Sequence, residues 1–293
     1  MMFLEKFRAC EKKSKVFICS DMEGIAETTS WHHCYPNTVI GRKYAKIMTD
    51  EVLQLCSVLG RKFEIVIRDS HGDAKNIIPN KIKKNVELIQ HLNNDPLYMM
   101  LGMDRSFDCC IFHGFHAADG SGGSPLAHTF LANEFVEFKL NGVLSGEGTF
   151  ALYTAAYFGV PLIYMSGDAY AVQEIKRLSP NTITTITKDF EANRILCARE
   201  VLKHIKSDLS AAKEQFKHAP DICSIDLPKS FHLELTYRDP AHALLSAKVI
   251  PNLKLVGDAT IEYQTDDYYD LLVAIHKLQR STRMKYGHWN KAV

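Results

Sequence analysis

The chain has 293 residues, with 35 Lys plus Arg against 34 Asp plus Glu, a formal net charge of +1. Hydrophobic residues make up 46% and charged residues 24%, which excludes a disordered chain and leaves no basic excess for nucleic acid. No run approaches the roughly 18 to 20 consecutive apolar residues of a membrane span, so no membrane partner is expected either.

The opening stretch, MMFLEKFRACEKKSK, has too short an apolar run and too many charges for a signal peptide. The expected compartment is cytoplasmic, where the eight cysteines stay reduced. None forms a CxxC, and most read as small buried hydrophobes. The unusual count is 13 histidines, the commonest metal ligand.

In chain order, Val16–Cys19 is a short apolar strand running into Ser20-Asp21-Met22-Glu23-Gly24. An amphipathic helix follows from about Thr38 to Leu59. Glu64–Arg68 is a second strand, ending at Asp69-Ser70-His71-Gly72, and Val86–Ile89 is a weaker one. Cys109–Phe112 ends at His113-Gly114-Phe115-His116, before the Gly- and Ser-rich loop ADGSGGSPLA. Phe135–Leu140 and Val143-Leu144 flank Asn141-Gly142, the signal of a hairpin with a type I′ turn. Gly146-Glu147 opens a helix to Phe158, and Pro161–Met165 is a strand closed by Ser166-Gly167-Asp168. Helices are expected at Ala169–Arg177 and Phe190–Ile205, on either side of a β-prone Thr182–Thr187.

The stretch 206–228 reads as a charged connector with a helical piece. After it come strand Phe231–Tyr237, helix Pro240–Ala247, strand Leu253–Tyr263 and helix Asp267–Arg280. Alternating strands and helices predict an α/β fold, a three-layer sandwich with a mainly parallel sheet over 14–205. A smaller C-terminal α+β unit over 206–293, contributing to assembly, completes the expectation.

In such sheets ligands gather beyond the carboxyl ends of the strands, where these polar motifs lie. Asp21 and Glu23, two apart on extended backbone, point the same way and suit a divalent cation, or else form a solvated loop with an N-cap aspartate. His71 suits a ligand, or a surface histidine beside an Asx-turn. His113 and His116 face opposite ways, so one reaches a shared site; His116 is the choice and His113 the core or supporting residue. Glu147 sits at a helix start that stabilises its charge, whether or not it has a further role. His128 is either a mobile surface residue or a base above a metal site. Together these residues suit two divalent metals sharing Asp21.

CSDMEG resembles the S-x-D-x-E-G signature of the DppA-type zinc-dependent D-aminopeptidases, with Cys19 in place of the first serine. The resemblance continues in order through RDSHG, GFHA, AHTF, NGVLSGE and YFGVPLIYMSGD, and more weakly through HLELTY. It implies two Zn2+ per chain bridged by Asp21, with Glu23 and His71 at one site and His116 and Glu147 at the other. It makes His128 the catalytic residue, as nucleophile, base or stabiliser. It also implies a homo-oligomer, in the family type a decameric ring.

The expected function is a metal-dependent aminopeptidase. It would hydrolyse short peptides or amino-acid amides, including those with D-amino-acid N-termini, through a metal-activated water. Its rivals are a binuclear amidohydrolase on a non-peptide substrate and a non-catalytic protein that keeps the fold.

Overall fold

A computed structural model describes residues 13–91 and 94–283. The expectation of no leader peptide, and Cys10 with it, fall outside the described residues. The elements in order are β1 (Ser14–Ser20), α1 (Val39–Leu59), β2 (Phe63–Asp69), β3 (Val86–Ile89), β4 (Cys109–Phe115), β5 (Phe135–Leu140), β6 (Val143–Leu144), α2 (Glu147–Tyr157) and β7 (Leu162–Asp168). There follow α3 (Ala169–Leu178), β8 (Ile183–Asp189), β9 (Arg194–Ile195), α4 (Ala198–His218), β10 (Phe231–Tyr237), α5 (Pro240–Val249), β11 (Lys254–Leu255), β12 (Thr260–Thr265) and α6 (Tyr268–Arg283).

The larger sheet has the order β3-β2-β1-β4-β7-β8-β9 and is parallel except for β9. Its central strands β1, β4 and β7 are buried on both faces, which explains their continuous apolar runs. Val16 and Ile18 of β1 pack with Tyr44, Met48, Val52, Leu55 and Leu59 of α1 and with Val201, Ile205 and Leu209 of α4. Phe17 and Cys19, pointing the other way, join Phe112, Phe150 and Ile175 and the apolar face of the second sheet. Each such side chain contributes about 1.5–3 kcal/mol by leaving water. Thr38 caps α1 through its hydroxyl, which accepts from the Gly41 N–H at 2.9 Å.

The smaller, antiparallel sheet runs β11-β12-β10-β5-β6. Along β10 buried and half-buried residues alternate, as the Phe231/His232 alternation predicts. Asn141 and Gly142 hold φ of 53° and 75°, both positive as a type I′ turn requires.

Two element boundaries differ from expectation. The helix expected at Phe190–Ile205 is α4, Ala198–His218. An Asp189 carboxylate accepting the Ala192 N–H at 3.0 Å turns the chain, so that Arg194–Ile195 pairs back onto Lys188 and Asp189. Leu209 and Ala212 then carry the buried stripe of α4 through the region expected as a connector. The break expected at 205/206 lies inside this helix, and the smaller sheet takes β5 and β6 from the middle of the chain as well as its C-terminal strands. The strand expected at Leu253–Tyr263 is two, β11 and β12, in an antiparallel pair. Among the described residues no helix is long and apolar enough to cross a membrane.

Candidate metal centre

Asp21 follows β1 directly, and its loop lies against the end of β4. The Asp21 N–H donates to the His113 carbonyl at 2.8 Å, and the Gly24 N–H to the Gly114 carbonyl at 2.7 Å. Glycine is required at both contacts. A Cβ on Gly24 would sit 1.9 Å from the Phe115 carbonyl oxygen, and one on Gly114 2.2 Å from that of Asp21. From below, the buried Lys188 amine donates to the carbonyls of Glu23 at 2.5 Å and Thr28 at 2.6 Å. His113 is buried as expected, between Ser20 Oγ at 2.7 Å and Glu51 Oε2 at 2.9 Å.

The other site residues are held by similar backbone ties. The Asp69 carboxylate accepts the Asn76 and Ile77 N–H groups at 2.6 and 2.8 Å. The Asn76 side chain in turn donates to the His71 carbonyl at 2.7 Å. Beyond β4, Asp168 Oδ2 accepts the Ala117 N–H at 2.9 Å, beside His116. Glu147 is the first residue of α2, whose start is clamped by Glu174, an acceptor from the Gly146 N–H at 2.9 Å and from the Thr149 hydroxyl. Glu147 Oε1 accepts the Phe130 N–H at 2.7 Å, and Phe130 holds φ +61° in making that bond. That bond anchors the segment carrying His128.

The fold brings all six expected residues together. Asp21, Glu23 and His71 form one group able to hold a cation, and Asp21, His116 and Glu147 another. Asp21 is common to both. A third combination, Glu23, His116 and His128, spans the two. His71 Nδ1 lies 2.9 Å from Glu23 Oε2 and 3.4 Å from Asp21 Oδ1. His116 Nε2 lies 3.5 Å from Asp21 Oδ2 and 3.7 Å from Glu147 Oε1, and His128 Nε2 3.6 Å from that same oxygen.

Ring orientation fits a cation. His116 Nδ1 meets the Ala117 carbonyl at 3.0 Å, His128 Nδ1 the Leu126 carbonyl at 3.0 Å, and His71 Nε2 the Cys34 carbonyl at 2.9 Å. Each carbonyl fixes an N–H there and turns the other nitrogen toward the carboxylates, the arrangement that supports a ligating imidazole. His116 Nε2 is buried with no hydrogen-bond partner. Two tetrahedral ligands at about 2.1 Å from zinc are separated by about 3.4 Å. The 3.4–3.7 Å contacts around Asp21, His116 and Glu147 are close to that spacing.

At Asp21, His116 and His71 burial works against the charge, yet the opposite charges prevail. Burial would raise Asp21, but His116 and His71 hold its carboxyl well below the usual range. Burial would lower His116, but Glu147 and Asp21 raise it well above 6.5. His71 is raised likewise by Glu23 and Asp21 against its burial. The cluster is a set of carboxylates that demands compensating positive charge, which protons or a cation can supply.

Sequence reasoning passed over Glu51, Glu174 and Lys188, which support the site from α1, α3 and β8. No local motif marks them, since each acts on a segment far away in the chain. Trp31, whose ring meets His128 edge to face at 5.1 Å, was also missed.

A family model described as D-aminopeptidase matches residues 14–277. A curated D-aminopeptidase of Bacillus subtilis (strain 168) is 29% identical over 182 residues, 59% of this chain, and the chain spans 63% of that relative's length. The chain is also similar to a solved structure described as the Zn-dependent D-aminopeptidase DppA from Bacillus subtilis, a self-compartmentalizing protease. The TM-score is 0.82 at 22% identity, over 92% of this chain and 98% of that one, a likeness of fold.

Proposed function

Because the chain belongs to the D-aminopeptidase family, we propose that it is a zinc metallopeptidase that removes N-terminal residues from short peptides or amino-acid amides. The observation that carries this reading is His116 Nε2, buried, unpartnered and placed between Asp21 and Glu147. Asp21, Glu23 and His71 would hold one zinc ion and Asp21, His116 and Glu147 a second, with Asp21 as the bridge. Bound zinc supplies Lewis acidity for a scissile carbonyl and acidifies water.

The chain's own groups then have distinct tasks. The Leu126 carbonyl holds the His128 ring with Nε2 toward the cluster, so His128 can take up or deliver a proton at that atom. The Ala117 and Cys34 carbonyls keep His116 and His71 in the tautomers that leave a lone pair inward. The free substrate amine would bind either a carboxylate of the cluster or a metal. Assembly as a homo-oligomeric ring in the cytoplasm, with 206–293 contributing contacts, belongs to the same proposal. A D-amino-acid preference does too. The support is family membership and, for assembly, the self-compartmentalizing description of the similar structure.

Metal analysis of the purified protein, with hydrolysis of paired D- and L-alanyl peptides and amides, tests the reading. Close to two zinc ions per chain and faster release from the D-substrates are expected. No metal after reconstitution, or metal without hydrolysis across the panel, overturns it.

A further inference from the structure

Among the six site residues, His71 and His128 have the most exposed side chains, at 13% and 10%. One short segment touches both. The 3-10 turn Trp31–Cys34 offers its Cys34 carbonyl to His71 Nε2, and its Trp31 ring lies against His128 at 5.1 Å and 68°. The turn is well anchored. Ser30 caps it through the His32 N–H at 3.4 Å, the Thr29 N–H donates to His33 Nδ1 at 3.1 Å, and the His33 ring stacks on Tyr44 of α1 at 3.9 Å.

Trp31 itself is only half-buried. His128 is stacked on His116 at 4.1 Å and 8°, so Trp31 adds a second aromatic contact on an already supported ring. A large, stiff apolar side chain left partly in water beside a reactive imidazole is typical of a surface that becomes covered when ligand binds. The surrounding site is carboxylate and imidazole, so this indole is an apolar surface next to the reacting centre.

We propose that Trp31 is a specificity-determining residue. Its indole forms a wall of the subsite for the substrate side chain beside the scissile bond, and the subsite selects large apolar side chains over small ones. The assignment rests on the aminopeptidase reading above.

The test compares wild type, Trp31→Ala and Trp31→Phe on leucyl and alanyl amides of both configurations, with metal content measured for each. Trp31→Ala should keep its metal and lose about tenfold or more in kcat/KM on leucyl substrates, with little change on alanyl ones. Trp31→Phe should recover most of the leucyl rate. Equal losses on both substrates, or none, overturn the proposal, since support of His128 alone does not discriminate between side chains. A second measurement needs no turnover. The chain has two tryptophans, so in a Trp289→Phe background Trp31 is the one indole reporting fluorescence. Leucine hydroxamate should shift its emission and acetohydroxamate, with the same chelating group, should not. No shift with leucine hydroxamate, or the same shift with both, overturns the wall. If wild type hydrolyses nothing, the activity reading fails and the fluorescence result still decides Trp31.

Discussion

Glu51 Oε2 lies 2.9 Å from His113 Nε2, joining α1 to the end of β4 inside the protein. The other Glu51 oxygen accepts the Ala26 N–H at 3.0 Å, and His113 passes the contact on to Ser20, next to Asp21. Glu51→Ala strands two buried donors and should cost about 2–4 kcal/mol in urea unfolding. Glu51→Gln can still satisfy both positions if His113 changes tautomer, so its loss should be about 1 kcal/mol. Equal losses in the two variants would mean that volume, rather than hydrogen bonding, makes Glu51 matter.

His116 and His128 should separate metal binding from turnover. His116→Ala removes the shared nitrogen between Asp21 and Glu147 and should lower zinc content by about one ion per chain, with loss of most activity. His128→Ala should keep its zinc and lose at least 100-fold in kcat. Loss of metal in His128→Ala would instead make His128 a ligand, through its grouping with Glu23 and His116.

Lys188 is wholly buried, and burial pushes its amine down to about 8, against the pull of Asp168. Its folded value is below the ordinary 10.5, so the unfolded chain binds the extra proton between those values. Its contribution therefore makes stability rise as pH increases from about 8 toward 10.5. Lys188→Met leaves the Glu23 and Thr28 carbonyls without their donor and should cost about 1–3 kcal/mol for each. Chemical denaturation of the metal-free protein, with and without the substitution, reads both effects.

On the proposed reading, zinc and protons compete for the same nitrogens. His71 and His116 are raised above 6.5, so their share of metal-free stability is complete below 6.5 and is lost as pH rises through the raised folded values. Glu147 is lowered from 4.5 and Asp21 from 3.8, so their share is present above those values and is lost as pH falls through the folded ones. The share of metal-free stability that comes from these four groups should accordingly be greatest between 4.5 and 6.5. Zinc added to metal-free protein at pH 7 should release protons in a weakly buffered indicator titration. Zinc uptake with no acidification would show that the two imidazoles are already neutral.

The sequence made the site's position legible because strand ends and polar motifs coincide. Asp21, His71 and His116 each lie within two residues of a strand of the parallel sheet. The Asn141-Gly142 turn was equally plain, since its two positive φ angles have few other solutions. What stayed hidden depends on distant pairing. Nothing local tells that β5 joins β10, or that the Lys188 amine caps carbonyls of a loop 160 to 165 residues earlier. The helix expected at Phe190–Ile205 was misplaced because apolar spacing cannot see the Asp189 turn, and because the charged outer face of α4 masks its buried stripe.

The pairing of β5 with β10 also orders events at the ribosome. Asn141 and His232 are hydrogen-bonded across that sheet, yet 91 residues separate them. At about 5–20 residues per second, synthesis leaves the first hairpin waiting roughly 5–20 s for its neighbour. During that interval Phe135, Phe138 and Leu140 lack the strand and helix that later cover them. The nascent chain therefore presents a sticky, open-edged hairpin while β7, β8 and β9 are still being added to the parallel sheet.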